Sequence, residues 1–91
     1  MSVISRDFMI LNDKGLHARA SARFVEVVEN FNSEVIVEKD GLAASGSSIM
    51  GLLMLAASKG TNIKVTLNGD DAEELSIALD NLIKSKFGEE N

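Results

Sequence analysis

Two hydrophobic periods alternate along this 91-residue chain, and their alternation is what most constrains its fold. Between Ile63 and Leu67 every second residue is apolar, which is typical of a strand with one buried face. Between Ala18 and Phe31 the apolar residues recur at helical spacing, with charged residues on the opposite side. A short chain that contains both periods is predicted to form one sheet, antiparallel or mixed, with helices packed on one face.

The other segments extend this pattern to seven elements. The predicted order is a strand over Phe8–Leu11, a helix over Ala18–Phe31, strands before and after an Asp40-Gly41 hairpin turn, a short helix over Ile49–Ala57, a strand over Ile63–Leu67 and a helix from Ala72 toward Gly88. Either Ser47 or Ser48 could cap the short helix, and Gly60 is the expected left-handed residue after it. In that helix we expect Leu52 and Ala56 to face inward.

Composition narrows the classes of function. The chain is expected to be one domain over 1–91, with a polar tail at 89–91. It has no apolar run of the roughly 18–20 residues that span a bilayer and no signal-peptide pattern, so a cytoplasmic protein without membrane insertion is expected. The lack of cysteine excludes a disulfide framework and thiol catalysis. A net charge of −5 argues against nucleic acid as a partner.

The chemistry-bearing candidate is His17, the single histidine, at the junction of a turn and the first helix. A helix start favours anions, and a neutral ring nitrogen is a nucleophile near neutral pH. Arg19 could bind the oxygens of a transferred phosphoryl group, and Gly15 would let the backbone come close to the ring. Taken alone, the same residues also fit a surface histidine that caps a helix, followed by a solvated arginine.

Two segments resemble the signature motifs of the HPr family, the phosphocarriers of the bacterial phosphoenolpyruvate-dependent phosphotransferase system. They are Gly15-Leu16-His17-Ala18-Arg19-Ala20-Ser21 and Ser47-Ser48-Ile49-Met50-Gly51-Leu52-Leu53. The length, the element order and the hairpin also match, so the resemblance covers nearly the whole chain. It implies an α+β open-faced sandwich of order βαββαβα, in which three helices cover one face of a four-stranded antiparallel sheet.

The resemblance also implies a function. His17 would accept a phosphoryl group on Nδ1 from Enzyme I and pass it to an EIIA-type acceptor, with Arg19 binding the phosphate and with Gly15 and Ala18 in the same site. The carrier would be a cosubstrate in a relay rather than an enzyme, and a monomer. No metal or organic cofactor is implied.

Further family positions suggest regulation and docking. Ser48 matches the serine that HPr kinase/phosphorylase modifies in many members, although an N-cap serine needs no regulatory role. Ile49, Met50 and Leu53, together with Ala22, match the surface on which partners dock. We expect Ile49 and Met50 to be exposed, since only one face of a short helix can be buried.

Ala20 stands where the family usually has proline. Sugar-transport carriers of the family tend to have basic residues around the docking face, whereas this chain has Glu26 and Glu29 on the first helix. These departures resemble the nitrogen-type or regulatory branch of the system.

Three other classes of protein fit the sequence less well. A regulatory binding module of the same fold would act through Ser48 and the Ile49/Met50 patch without histidine transfer, but relatives of that kind lack the histidine. The alternating strands oppose an acyl carrier protein, whose attachment motif is also missing. An independent enzyme is disfavoured because the chain has no second histidine, no cysteine and no carboxylate pair suited to a cleft.

Overall fold

The computed structural model describes residues 2–90, and of Ser2 only the backbone. Its elements are β1 (Ser2–Met9), α1 (Ala18–Glu29), β2 (Glu34–Lys39), β3 (Leu42–Ser45), α2 (Ile49–Met54), β4 (Asn62–Gly69) and α3 (Ala72–Lys84), followed by a 3₁₀ turn over Lys86–Gly88. The strands pair antiparallel in the order β1-β4-β2-β3. The predicted α+β sandwich of order βαββαβα is therefore confirmed.

The core lies between the sheet and the helices. Val35 and Val37 on β2, and the alternating apolar residues of β4, are buried on the face that the helices cover. The side chains of Phe24, Leu75 and Phe87 are fully buried against that face. Full burial of a large apolar side chain contributes about 1.5–3 kcal/mol to stability. The buried faces of the strands and helices form one shared core.

β1 is longer than its sequence pattern indicates. It pairs with β4 from Ser2 opposite Gly69 to Met9 opposite Asn62, whereas the apolar pattern placed a strand at Phe8–Leu11. β1 is an edge strand, and its exposed residues Ser5, Arg6 and Asp7 give no apolar alternation. Pairing with β4 extends along the whole strand, and the buried Phe8 and partly buried Ile4 anchor it to the core.

The end of α2 differs from the prediction. The helix stops at Met54 instead of Ala57, and the left-handed residue that follows is Ala56 (φ 52°), while Gly60 (φ 87°) lies in a later turn. Ala56 is exposed, so the expectation that it faces inward is wrong, whereas Leu52 is fully buried as expected. The early stop turns Ala57 into the core and brings its carbonyl toward the loop before α1.

A left-handed alanine carries a conformational cost that glycine avoids. The Ala56→Gly variant should therefore raise the free energy of unfolding by about 1 kcal/mol, measured as a higher urea midpoint at unchanged slope. Ala43→Gly, at an exposed position in β3, should instead lower it by about 0.5–1 kcal/mol. Equal effects of the two substitutions would contradict the left-handed assignment.

The three-residue spacing of Asp71 and Glu74 predicts a capping pair at the start of α3, and this prediction is wrong. Asp71 precedes α3 but makes no side-chain cap. Its carboxylate accepts hydrogen bonds from the hydroxyl of Ser33 (2.5 Å) and from the backbone N–H of Asn32 (2.8 Å), and these bonds lower the pKa of Asp71. The side chain therefore joins the start of α3 to the segment between α1 and β2.

Candidate functional site

His17 is the residue that immediately precedes α1. Its backbone is extended (φ −74°, ψ −178°), and its carbonyl accepts the first helical hydrogen bond, from Ser21 N–H at 2.8 Å. The imidazole makes no capping bond to the helix and is 27% exposed. The sequence left open a capping role for His17, and the geometry removes it. The ring instead points toward the C-terminal segment of the chain.

Gly15 fixes the loop that carries His17. Its φ of +65° lies in the left-handed region, and a Cβ added there would stand 2.3 Å from the carbonyl oxygen of Ala57. That oxygen accepts a hydrogen bond from Leu16 N–H at 2.9 Å, so it cannot retreat without losing a bond. The close approach holds the His17 loop against the segment that follows α2.

Arg19 lies in the first turn of α1 and is exposed. Within residues 2–90 it forms no ion pair, so its guanidinium is available to an incoming anion. It borders a shallow groove of about 380 Å³ lined by Asp13, Lys14, Arg19, Gly88, Glu89 and Glu90. Ala18, the first residue of the helix, is exposed beside it. The predicted residues Gly15, His17, Ala18 and Arg19 are thus brought together at one end of α1.

Glu89 is the site residue that the sequence pattern missed. Residues 89–91 have the composition of a polar tail, yet the Glu89 carboxylate is hydrogen-bonded to His17 Nε2 through Oε2. Its other oxygen, Oε1, accepts from Asn12 Nδ2 at 2.9 Å. Burial alone would raise the pKa of Glu89, but the hydrogen bonds from Asn12 and His17 outweigh it and lower the pKa. The carboxylate is therefore charged at neutral pH. Asn91 lies outside the described residues.

The backbone before Glu89 takes an unusual path. Lys86 and Phe87 both have φ of +57°, and Gly88 follows at +78°. A non-glycine residue in this region costs about 1–2 kcal/mol, and the fully buried Phe87 ring offsets that cost by anchoring the turn in the core. An aromatic residue followed by glycine so near the polar end was the one sequence signal that this segment folds back.

Ser48 caps α2. Its hydroxyl accepts a hydrogen bond from Gly51 N–H at 2.9 Å, whereas Ser47 is exposed and its hydroxyl is hydrogen-bonded to that of Ser45. Of the two serines, Ser48 is therefore the one that caps α2.

An apolar patch lies on α2 and is called here the α2 patch: Ile49, Met50, Leu53 and Met54. Met50 and Met54 are 68% and 75% exposed, and Ile49 is exposed as predicted. Leu53 is half-buried, as is Ala22 on α1. Met54 was not among the predicted docking residues, and its one-turn spacing from Met50 places both side chains on the same side of α2.

Described residues 2–90 hold no cluster of three or more side chains that could bind a metal ion. None of the helices in this part of the chain is long and apolar enough to cross a membrane.

Comparisons with known proteins agree with this geometry. The family model described as PTS HPr component phosphorylation site matches residues 4–85. The phosphocarrier protein HPr of a Neisseria meningitidis serogroup B strain is 46% identical over 87 residues, which cover 96% of this chain and 98% of that protein. The corresponding protein of Cupriavidus necator is 41% identical with the same coverage.

A solved structure gives the same result in three dimensions. The crystal structure of HPr-C-His from Thermoanaerobacter tengcongensis superimposes with a TM-score of 0.89 at 44% identity, covering all of both chains. The sequence match and the shared fold span the His17 loop and α2 alike. The chain belongs to the HPr family of phosphocarrier proteins of the phosphotransferase system.

Proposed function

We propose that this protein accepts a phosphoryl group on Nδ1 of His17 from Enzyme I and transfers it to an EIIA-type protein. The observation that carries the proposal is the arrangement of the imidazole, which is bonded to Glu89 through Nε2 and stands two residues before the exposed Arg19. The Nδ1 lone pair attacks phosphorus and forms the N–P bond. The donor's bond to phosphorus breaks, and its electron pair leaves with the donor.

Arg19 and the first turn of α1 would receive the charge of the phosphoryl group. The N–H groups at a helix start have no partners within the helix, and a guanidinium offers two parallel donors to phosphate oxygens. Ala18 belongs to that turn, and Gly15 holds the preceding loop in place. The protein supplies the acceptor and its surroundings, while each partner supplies the remainder of the active site.

The partners would dock on the α2 patch and on Ala22. Exposed methionines adapt their shape to different surfaces, which suits a carrier that meets several proteins in turn. Hydrogen bonding of Leu16 to Ala57 keeps the His17 loop next to the segment that ends α2, so a protein seated on α2 lies close to the imidazole. The regulatory alternative would use Ser48 and the Ile49/Met50 part of this patch and would give the assembled His17 site no role.

The transfer is tested by incubating the protein with phosphoenolpyruvate and Enzyme I. We expect one acid-labile phosphoryl group per chain, with phosphorus coupling to Nδ1 of the ring in NMR spectra. The label should pass to an EIIA protein added afterwards. An acid-stable phosphate, or coupling to Nε2, would contradict the proposal.

Ser48 is proposed as a regulatory site for HPr kinase/phosphorylase. A phosphate on its hydroxyl would place negative charge beside Ile49 and Met50 and so oppose docking of an apolar partner surface. With ATP and the kinase, we expect an acid-stable phosphate that is absent from Ser48→Ala. Because the cap is lost, that variant should also be less stable by about 1 kcal/mol in urea unfolding. Ser47→Ala is the control; loss of label there instead would overturn the assignment.

A further inference from the structure

We infer that Glu89 is a positioning residue that keeps the proton of His17 on Nε2, so that Nδ1 presents its lone pair to phosphorus. This inference rests on the proposed phosphoryl transfer at His17. Glu89 accepts from His17 Nε2 and is the ring's hydrogen-bond partner within residues 2–90. A neutral imidazole carries a single ring proton, and a bond to one nitrogen decides which of the two nitrogens holds it.

Asn12 fixes which way the Glu89 carboxylate faces. Its side chain is fully buried, and Nδ2 donates both to Gly15 O (2.9 Å) and to Glu89 Oε1 (2.9 Å). One oxygen of Glu89 is thereby occupied, and the other is left for the imidazole. Asn12 also joins Glu89 to the carbonyl of Gly15, so the loop that carries His17 and the end of the chain are held by the same amide.

The turn before Glu89 holds the carboxylate in place from the other side. Phe87 is fully buried, and backbone bonds from Gly88 N to Ser85 O and from Glu89 N to Lys86 O, both 3.0 Å, close the turn. Two consecutive non-glycine residues in the left-handed region are needed to make this path. Backbone strain of this kind clusters at functional sites, where the surrounding structure enforces it.

The contact also matters after transfer. Once Nδ1 is bonded to phosphorus, a proton retained on Nε2 makes the ring an imidazolium, and the Glu89 carboxylate stabilises that charge. When the phosphoryl group moves on, the N–P bond breaks, its electron pair stays on Nδ1, and a neutral imidazole with Nε2–H is left. A neutral imidazole departs from phosphorus more readily than an anionic one, so a proton that stays on Nε2 eases the breaking of the N–P bond as the acceptor's nucleophile bonds to phosphorus.

Glu89→Gln tests the inference because an amide has only one oxygen. Asn12 Nδ2 would claim that oxygen, so the amide NH₂ would face His17 and favour the Nδ1–H form. Long-range ¹⁵N NMR of the unphosphorylated protein reads the tautomer directly. We expect mainly Nε2–H in the parent protein and a shift toward Nδ1–H in the variant. Phosphoryl uptake should slow by roughly 10- to 100-fold, the loss typical when a group that orients a functional histidine is replaced.

Glu90→Gln is the matched control for the tautomer. It removes the same charge one residue further on, at an exposed side chain, and should leave the His17 tautomer unchanged. An unchanged tautomer in Glu89→Gln would overturn the inference, as would a shifted tautomer without slower uptake. The tautomer is read before any phosphorylation, so a parent protein that takes up no phosphoryl group would refute the proposed function without altering the tautomer result.

Discussion

Replacing His17 with alanine is expected to abolish uptake of an acid-labile phosphoryl group from phosphorylated Enzyme I. His17 is the single histidine of the chain, so no second imidazole can take its place. We expect the rate to fall by more than about 1,000-fold, because the nucleophile itself is removed. The measurement is incorporation of label from phosphoenolpyruvate, followed by acid treatment to distinguish a phosphoimidazole from a phosphoester.

Folding of the His17→Ala variant must be checked separately. The ring is partly exposed and lies outside the core, so the melting temperature should change little beyond the loss of the bond to Glu89. Retained acid-labile label in a folded variant would refute the assignment of His17 as the acceptor. If His17→Ala loses both the label and its fold, His17→Gln replaces it as the test. Glutamine is polar and of similar reach but cannot form a phosphoimidazole, so a folded His17→Gln variant without label supports the assignment.

The largest effect on stability is expected for Gly15→Ala. A Cβ at this position would meet Ala57 O at 2.3 Å and Ser58 Cα at 2.9 Å, both of them backbone atoms, in a residue whose φ is +65°. The conformational cost and the overlap together should lower the free energy of unfolding by about 2–5 kcal/mol. For a domain of this size, that corresponds to a fall in melting temperature of roughly 8–40 °C.

Gly60→Ala separates the two contributions. Gly60 also has a left-handed backbone (φ 87°), but an added Cβ would have nothing within 4 Å. Its substitution should cost only the conformational part, about 1–2 kcal/mol. If both variants melt at the same temperature, the approach of Gly15 to Ala57 does not hold the His17 loop. If Gly15→Ala folds, we expect slower phosphoryl uptake, because the loop must move away from Ala57.

The regular elements could be predicted because their patterns are local. Ile63, Val65 and Leu67 alternate along a strand that is buried on one face, and Asp40 and Gly41 form the expected hairpin turn with φ of 51° and 83°. Failures occurred where partners distant in sequence decide the outcome. Asp71 binds Ser33 across the fold instead of capping α3, because a hydroxyl and a backbone N–H are brought within its reach.

In the candidate site, too, local sequence patterns determine some features and contacts between distant residues determine others. The sequence by itself determined the α+β order, the position of His17 at the start of α1, and the presence of Gly15 and Arg19 next to it. All of these depend on residues close together in the chain and on two short motifs. Only the tertiary structure decided that Glu89, 72 residues from His17, lies against Nε2. The physical reason is that burial of Phe87 and the buried amide of Asn12 join the chain end to the first loop. Such contacts arise from packing between segments that are distant in the chain, and the hydrophobic periodicity of a single segment cannot predict them.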